Sequence, residues 1–143
     1  MYRLSIIERE ETDMVGTKYA SEKRIFTDPI SGIQITQLTN QGINYHFYFT
    51  ENSFDLDGKT IYFLSNRGHE GTEICNLFKM DLESGEMEQL TDDPKGIEVG
   101  RITKTPDGEY VAYVTENNIR LYHTRTRENK LIYEEKEHKL LQN

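Results

Sequence analysis

Only one cysteine, Cys75, stands among the 143 residues. No intrachain disulfide framework is therefore available, and a reducing compartment is the natural setting. Positive charge is also short: 17 Lys and Arg face 25 Asp and Glu, a formal net charge of -8. A nucleic-acid partner requires a basic face, so this balance argues against one. A polyanionic substrate would need a local gathering of the few cations. Long apolar runs are missing too, and no stretch approaches the ~18 apolar residues of a membrane span. The opening MYRLSIIEREETD has one short apolar run, Leu4 to Ile7 with a serine inside, before acidic residues begin. It does not read as a signal peptide, and the expected location is cytoplasmic. Helical periodicity is nearly absent. Only the charged ends, Met1–Ala20 and Glu134–Asn143, suit disordered or loosely helical chain.

What the sequence has is an internal repeat. FDLDGKTIYFLS, from Phe54 to Ser65, realigns on KTPDGEYVAYVT, from Lys104 to Thr115, with Asp57 falling on Asp107 at a shift of 50. FKMDLESGEMEQLT, from Phe78 to Thr91, realigns on LYHTRTRENKLIY, from Leu121 to Tyr133, at a shift of 42. The second unit is shorter by eight residues, lost between its second and third strands. Upstream, TDPISGIQITQLT (Thr27 to Thr39) repeats the DLESGEMEQLT half alone.

Each unit reads as four short strands. Asp57-Gly58 and Asp107-Gly108 suggest two-residue type I′ hairpin turns, in which both central residues take positive φ. The apolar runs after them suit buried strands. Ser84-Gly85 and Ser31-Gly32 mark the last turn of a unit, and Asn117-Asn118 marks a tight turn replacing the longer NRGHEGTE loop. Strands are expected near Tyr45–Phe54, Thr60–Ser65, Ile74–Asp81 and Glu86–Thr91. The next unit repeats them near Ile97–Thr103, Glu109–Thr115, Ile119–Thr124 and Asn129–Tyr133.

Four-stranded sheets at this period are the β-propeller signature. The expected fold is all-β: about two complete blades and a partial N-terminal one, an incomplete propeller. The expected divisions are a tail over 1–22, repeats over 23–135 (partial blade 23–40, blades 44–91 and 97–133), and a tail over 136–143 leading to absent blades. A β-sandwich built from the same strands is the competing architecture. Two blades cannot close a ring, so open blade faces would invite self-association. In a closed ring, the upstream half repeat would supply the outer strands of the last blade.

The segments FTDPISGIQITQLT, NYHFYFTENSFDLDGKTIYFLSNRG and NLFKMDLESGEMEQLTDD, in this order, resemble the opening part of the oligogalacturonate lyase family, whose repeats are of the TolB type. The likeness covers roughly residues 24 to 135. It implies a seven-bladed propeller that cleaves oligogalacturonides by β-elimination in pectin degradation. It also implies manganese, held by histidines of later blades. There a metal on the uronate carboxylate would acidify the C5 proton as a Lewis acid, and a base would remove it. This sequence has no His-x-His or His-x-x-x-His pair, and the resemblance implies no catalytic residue and no cofactor in this chain, which would be inactive alone. Relatives often carry two adjacent histidines where this chain has Tyr45-His46, which leaves a substrate contact at Tyr45 open.

Among single residues, His46 falls on the strand that would line the central channel. It is either a substrate contact or a histidine packed among Tyr45, Phe47, Tyr48 and Phe49. Arg101 falls on the matching strand of the next unit. Its guanidinium would grip a uronate carboxylate through two hydrogen bonds, or else pair with Glu98 or Asp107. Arg67 is a further candidate for substrate binding, although Ser-x-Arg at this place more often ties a blade to its neighbour. His69, His123 and His138 are expected in solvent. Asp55 and Asp57 could be imagined as paired carboxylates for acid/base work, but Asp57 belongs to the turn. Strand Tyr and Phe residues are expected in the core, and Cys75 is expected to be an inert small hydrophobe. Two other functions stay open: a non-catalytic TolB-like propeller binding a protein partner, and a truncated chain with no function.

Overall fold

A computed structural model describes residues 14–136, and all its regular elements are β-strands. In chain order they are β1 (Lys18–Tyr19), β2 (Arg24–Thr27), β3 (Gln34–Gln37), β4 (Asn44–Tyr45), β5 (Thr60–Ser65) and β6 (Asn76–Asp81). There follow β7 (Met87–Gln89), β8 (Ile102–Lys104), β9 (Tyr110–Thr115), β10 (Asn118–His123) and β11 (Asn129–Glu134). They form three antiparallel sheets, ordered β1-β7-β6-β5-β4, β11-β10-β9-β8 and β2-β3. The two larger sheets are successive propeller blades, and no ring closes among the described residues. The protein is an all-β partial propeller.

The Asp-Gly turns differ in type from the expected one. Gly58 and Gly108 take positive φ (66° and 72°), while Asp57 and Asp107 do not. Each turn is a longer loop: Gly58 N donates to Asp55 O at 3.0 Å, and Asp55 N donates to Thr60 O at 2.9 Å across it. The aspartate accepts instead of turning. Asp57 Oδ1 takes the Lys59 amide at 2.8 Å and Asp107 Oδ1 the Glu109 amide at 2.9 Å. The tight turn of the second blade is Glu116-Asn117, one residue earlier than expected, because Asn118 already pairs with Thr115. Glu116 carries the strain there, at φ 51°.

Both inner strands are shorter than their sequences suggest. In the first blade β4 stops at Tyr45, and pairing resumes only at a single bridge between Phe54 and Ile61. The Phe47 amide donates to Ser53 Oγ at 3.0 Å, and Glu51 N donates to Tyr48 O at 2.7 Å. Phe47 is thereby pinned into the core at 1% exposure, while Tyr48, Phe49 and Thr50 loop outward. In the second blade, Val99 and Gly100 (φ 83°) bulge out between Glu98 and Arg101, which both still bond to Val114, and regular β8 begins only at Ile102.

Two apolar clusters flank the first blade. Between the blades lie Phe47, Tyr62, Leu64, Cys75, Leu77 and Leu90 from the first, with Ile102, Val111, Tyr113 and Tyr122 from the second. On the opposite face lie Phe63, Phe78, Met80 and Met87, capped by Tyr19 and Leu38 from the N-terminal segment. Residues 14–20, expected as loose chain, are instead built in: β1 adds a fifth strand to the first blade through Lys18↔Glu88 and Tyr19↔Met87. The expected loose structure over residues 1–13 and 137–143 lies outside the described residues.

Candidate functional site

The inner ends of the two blades carry the sequence-derived candidates. Tyr45 ends β4, and His46 begins the outward loop; both are exposed. His46 Nδ1 lies against the Phe47 carbonyl, so the histidine faces solvent instead of packing among its aromatic neighbours. With Tyr48, Phe49, Val99 and Gly100 these residues line an open cleft of about 460 Å³. Tyr48 and Phe49 are exposed at 54% and 77%, their rings 4.3 Å apart and tilted by 45°. Aromatic residues on a strand normally report core. These two do not, because the chain leaves the sheet at His46.

Arg101 stands near the same opening, but its Nε is 3.1 Å from Glu98 Oε2 and its side chain is 32% exposed. It lines a neighbouring cleft of about 360 Å³ with Tyr48, Glu51, Thr103, Ala112, Val114 and Ile119. Thr103 Oγ1 donates to Glu51 Oε2 at 2.6 Å, fastening the first blade's loop over the second blade's inner strand. The arrangement offers exposed aromatic faces, an imidazole and a guanidinium that is already paired with Glu98. Glu51 and Glu98 oppose an anion at the same opening.

Arg67 sits elsewhere. Its side chain is 6% exposed, and Nη2 reaches both oxygens of Glu22, at 2.7 and 2.8 Å. Nη1 donates to Ser65 Oγ at 2.7 Å and to Asn44 Oδ1. The guanidinium ties the N-terminal segment to the inner strand and positions β4, from which Tyr45 and His46 project. Burial works to raise the Glu22 pKa, but Arg67 and the amides of Asn40 and Gln41 outweigh it and hold the carboxyl below its ordinary range. Nothing in the sequence marked Glu22, which lies 45 residues from its partner.

The remaining candidates are structural. His69, expected in solvent, is partly buried, with Nε2 3.2 Å from Asp92 Oδ1. His123 Nδ1 accepts the amides of Arg125 and Thr126 (3.2 and 3.1 Å), as an aspartate does in a turn, and packs edge-on against Tyr110. His138 lies outside the described residues. Asp55 receives the Tyr62 hydroxyl at 3.4 Å; burial, then Asp55, pushes that phenol up to about 12. Cys75 is buried, and burial raises its thiol. Among the described residues no group of three or more His, Cys, Asp or Glu is placed to hold a metal ion.

No family model matches the chain, and no curated protein matches it. Among solved structures it is similar to an oligogalacturonate lyase from Vibrio parahaemolyticus. That likeness has 26% identity and a TM-score of 0.75, over 86% of this chain and 32% of that one. It is also similar in fold to an oligogalacturonate lyase in complex with manganese, at 22% identity and a TM-score of 0.74, over 85% of this chain and 32% of that one. The chain thus spans about a third of the length of these structures. It is an oligogalacturonate lyase-like partial propeller.

Proposed function

We propose that this chain works as part of a lyase-type propeller acting on oligogalacturonides by β-elimination in pectin degradation. The observation that carries the reading is the likeness to the Vibrio lyase, which extends over 86% of the chain with 26% identity. Tyr45, His46 and Arg101 would contribute substrate contacts at the inner opening, with Tyr48 and Phe49 offering ring faces. The described residues do not fit a manganese site, and no step of the elimination is assigned to a metal on this chain. The purified chain is expected to form no unsaturated uronide, with or without manganese.

A chimera tests the reading. This chain replaces the matching third of the Vibrio enzyme, and unsaturated product is followed by its ultraviolet absorbance with manganese present. Activity is expected. In that chimera His46→Ala and Arg101→Ala should each lower kcat/KM about tenfold or more, the loss of one charge-assisted contact. A folded but inactive chimera sinks the proposal and leaves a non-catalytic, partner-binding propeller as the better reading.

A further inference from the structure

Matching positions of the repeat carry opposite chemistry. In the first blade Phe63, Phe78 and Met87 are buried together in an apolar cluster. At shifts of 50, 42 and 42 their equivalents in the second blade are Tyr113, Arg120 and Asn129. Pairing is the same in both copies: Phe63↔Phe78 corresponds to Tyr113↔Arg120, and Met80↔Met87 to Tyr122↔Asn129. The polar trio lies on the face that meets the first blade, where Tyr113 and Tyr122 join the core between the blades.

The three side chains hold one another. Arg120 Nε donates to Asn129 Oδ1 at 3.0 Å and Nη2 to Asn129 O at 3.3 Å, while Asn129 Nδ2 donates to the Tyr113 hydroxyl at 2.8 Å. Arg120 Nη1 takes no part in these bonds. The Tyr113 oxygen accepts, which leaves its own proton to give. Burial raises that phenol against the pull of Asn129 and Arg120, so the proton is held at neutral pH. Arg67, Arg101 and Arg127 each have a carboxylate, but among the described residues none pairs with Arg120. Beside the trio, Asp92, Asp93 and Pro94 of the link between the blades complete a cleft of about 210 Å³. Asp92 is committed, Oδ1 to His69 Nε2 at 3.2 Å and Oδ2 to the Met14 amide at 3.1 Å. Asp93 gives only Oδ1 to the Lys95 amide, at 3.0 Å. A guanidinium and a carboxylate therefore share this cleft without closing on each other.

We propose that this cleft between the blades binds a small carboxylate that also carries a hydrogen-bond donor, a hydroxyl or an ammonium. The ligand carboxylate takes Arg120 Nη1 and the Tyr113 hydroxyl, and its donor goes to Asp93. Each end gains a charge-assisted bond, which offsets the cost of removing both charges from water. A plain carboxylate leaves Asp93 unpaired against it, and a neutral sugar brings no charge to Arg120, so both bind more weakly. The volume lies below the roughly 300–1,000 Å³ of drug-sized sites, which limits the occupant to about one small ring. This site is separate from the inner opening, because β10, β11 and the link between the blades build it. It does not rest on the lyase reading and holds equally for a propeller without catalysis.

The test titrates the full chain with galacturonate, serine, acetate and galactose, following the amide signals of Asp93, Tyr113 and Asn129 by NMR. Galacturonate or serine is expected to bind with saturation in the millimolar range, and acetate and galactose about fivefold more weakly or worse. Whichever of the first two binds tighter identifies the donor as hydroxyl or ammonium. Tyr113→Phe keeps the ring in the core, and Asp93→Asn keeps an acceptor for the Lys95 amide; each should weaken that probe about fivefold. Arg120→Lys retains the charge but loses the planar fork and should weaken it about tenfold. Unchanged amide signals away from the cleft show that each variant folds. No saturable shift with either probe overturns the proposal. Acetate or galactose binding as tightly as both also overturns it, as does equal binding by Tyr113→Phe and Asp93→Asn, which would place the probe elsewhere.

Discussion

The two blades share a repeat yet differ in what covers them. Tyr62, Leu64 and Leu77 of the first blade are 4%, 1% and 0% exposed, because the second blade lies on that face. Their equivalents at shifts of 50, 50 and 42 are Ala112, Val114 and Ile119. These are only half-buried and line an open cleft. Burial along β5 runs through its last four residues, whereas along β9 it alternates. The outermost strands differ in the same sense. Strand β7 is buried throughout under β1, and β11 is exposed at five of its six positions. Equivalent sequence thus acquires its core only from a neighbour, as expected of repeat architectures.

The largest expected effect separates the anchored blade from the open one. Arg67→Ala leaves the largely covered Glu22 with only the Asn40 and Gln41 amides and should cost about 3 kcal/mol in denaturant unfolding. Arg127→Ala, which breaks the contact with Glu88 across the blades, should cost within about 1 kcal/mol, since the arginine side chain is 45% exposed. Comparable losses would show that the contact between the blades matters as much as the N-terminal anchor. Next, Leu77→Ala should cost about 3 kcal/mol and its equivalent Ile119→Ala about 1, because only the first leaves a cavity. Equal costs would mean that something already covers the second blade's open face.

That face supplies a third test. The chain is expected to self-associate through Ala112, Val114 and Ile119, and Val114→Lys should shift sedimentation toward monomer. A monodisperse wild-type monomer with a sharp melt would count decisively against open faces of this kind. The smallest effect is pH dependence. The carboxyls of Glu22 and Glu88 are held below the ordinary glutamate value of 4.5: Arg127 lowers Glu88 against burial, and Arg67 with two amides outweighs burial at Glu22. A depressed folded-state pKa contributes stability above the unfolded value and loses it as pH falls through the folded one. Stability should therefore decline below about 4.5, and Arg67→Ala should flatten that decline more than Arg127→Ala. An acid limb unchanged in both variants would remove these two carboxylates as its cause.

Local chemistry sufficed for the middle and outer strands and for the Ser-Gly turns. The Ser-Gly turns, the strands Thr60–Ser65 and Asn129–Tyr133 and the half repeat at Thr27–Thr39 are visible in one dimension, because alternation and positive φ are properties of a few adjacent residues. Some departures are local, as at the Asp-Gly turns and the loop after His46, and others involve partners distant in the chain. His46 reads as an inner-strand residue, yet Ser53 and Phe47 pull the chain out of the ladder just beyond it. Tyr48 and Phe49 read as core and are exposed. Arg67 reads as a possible ligand for substrate and is instead spent on Glu22. The charged N-terminus reads as loose, yet Lys18 and Tyr19 find the free edge of β7. Strand pattern is a local property of the chain. Burial, ion pairing and the exposure of a candidate site depend on which surface arrives from elsewhere, and only the packed blades decide that.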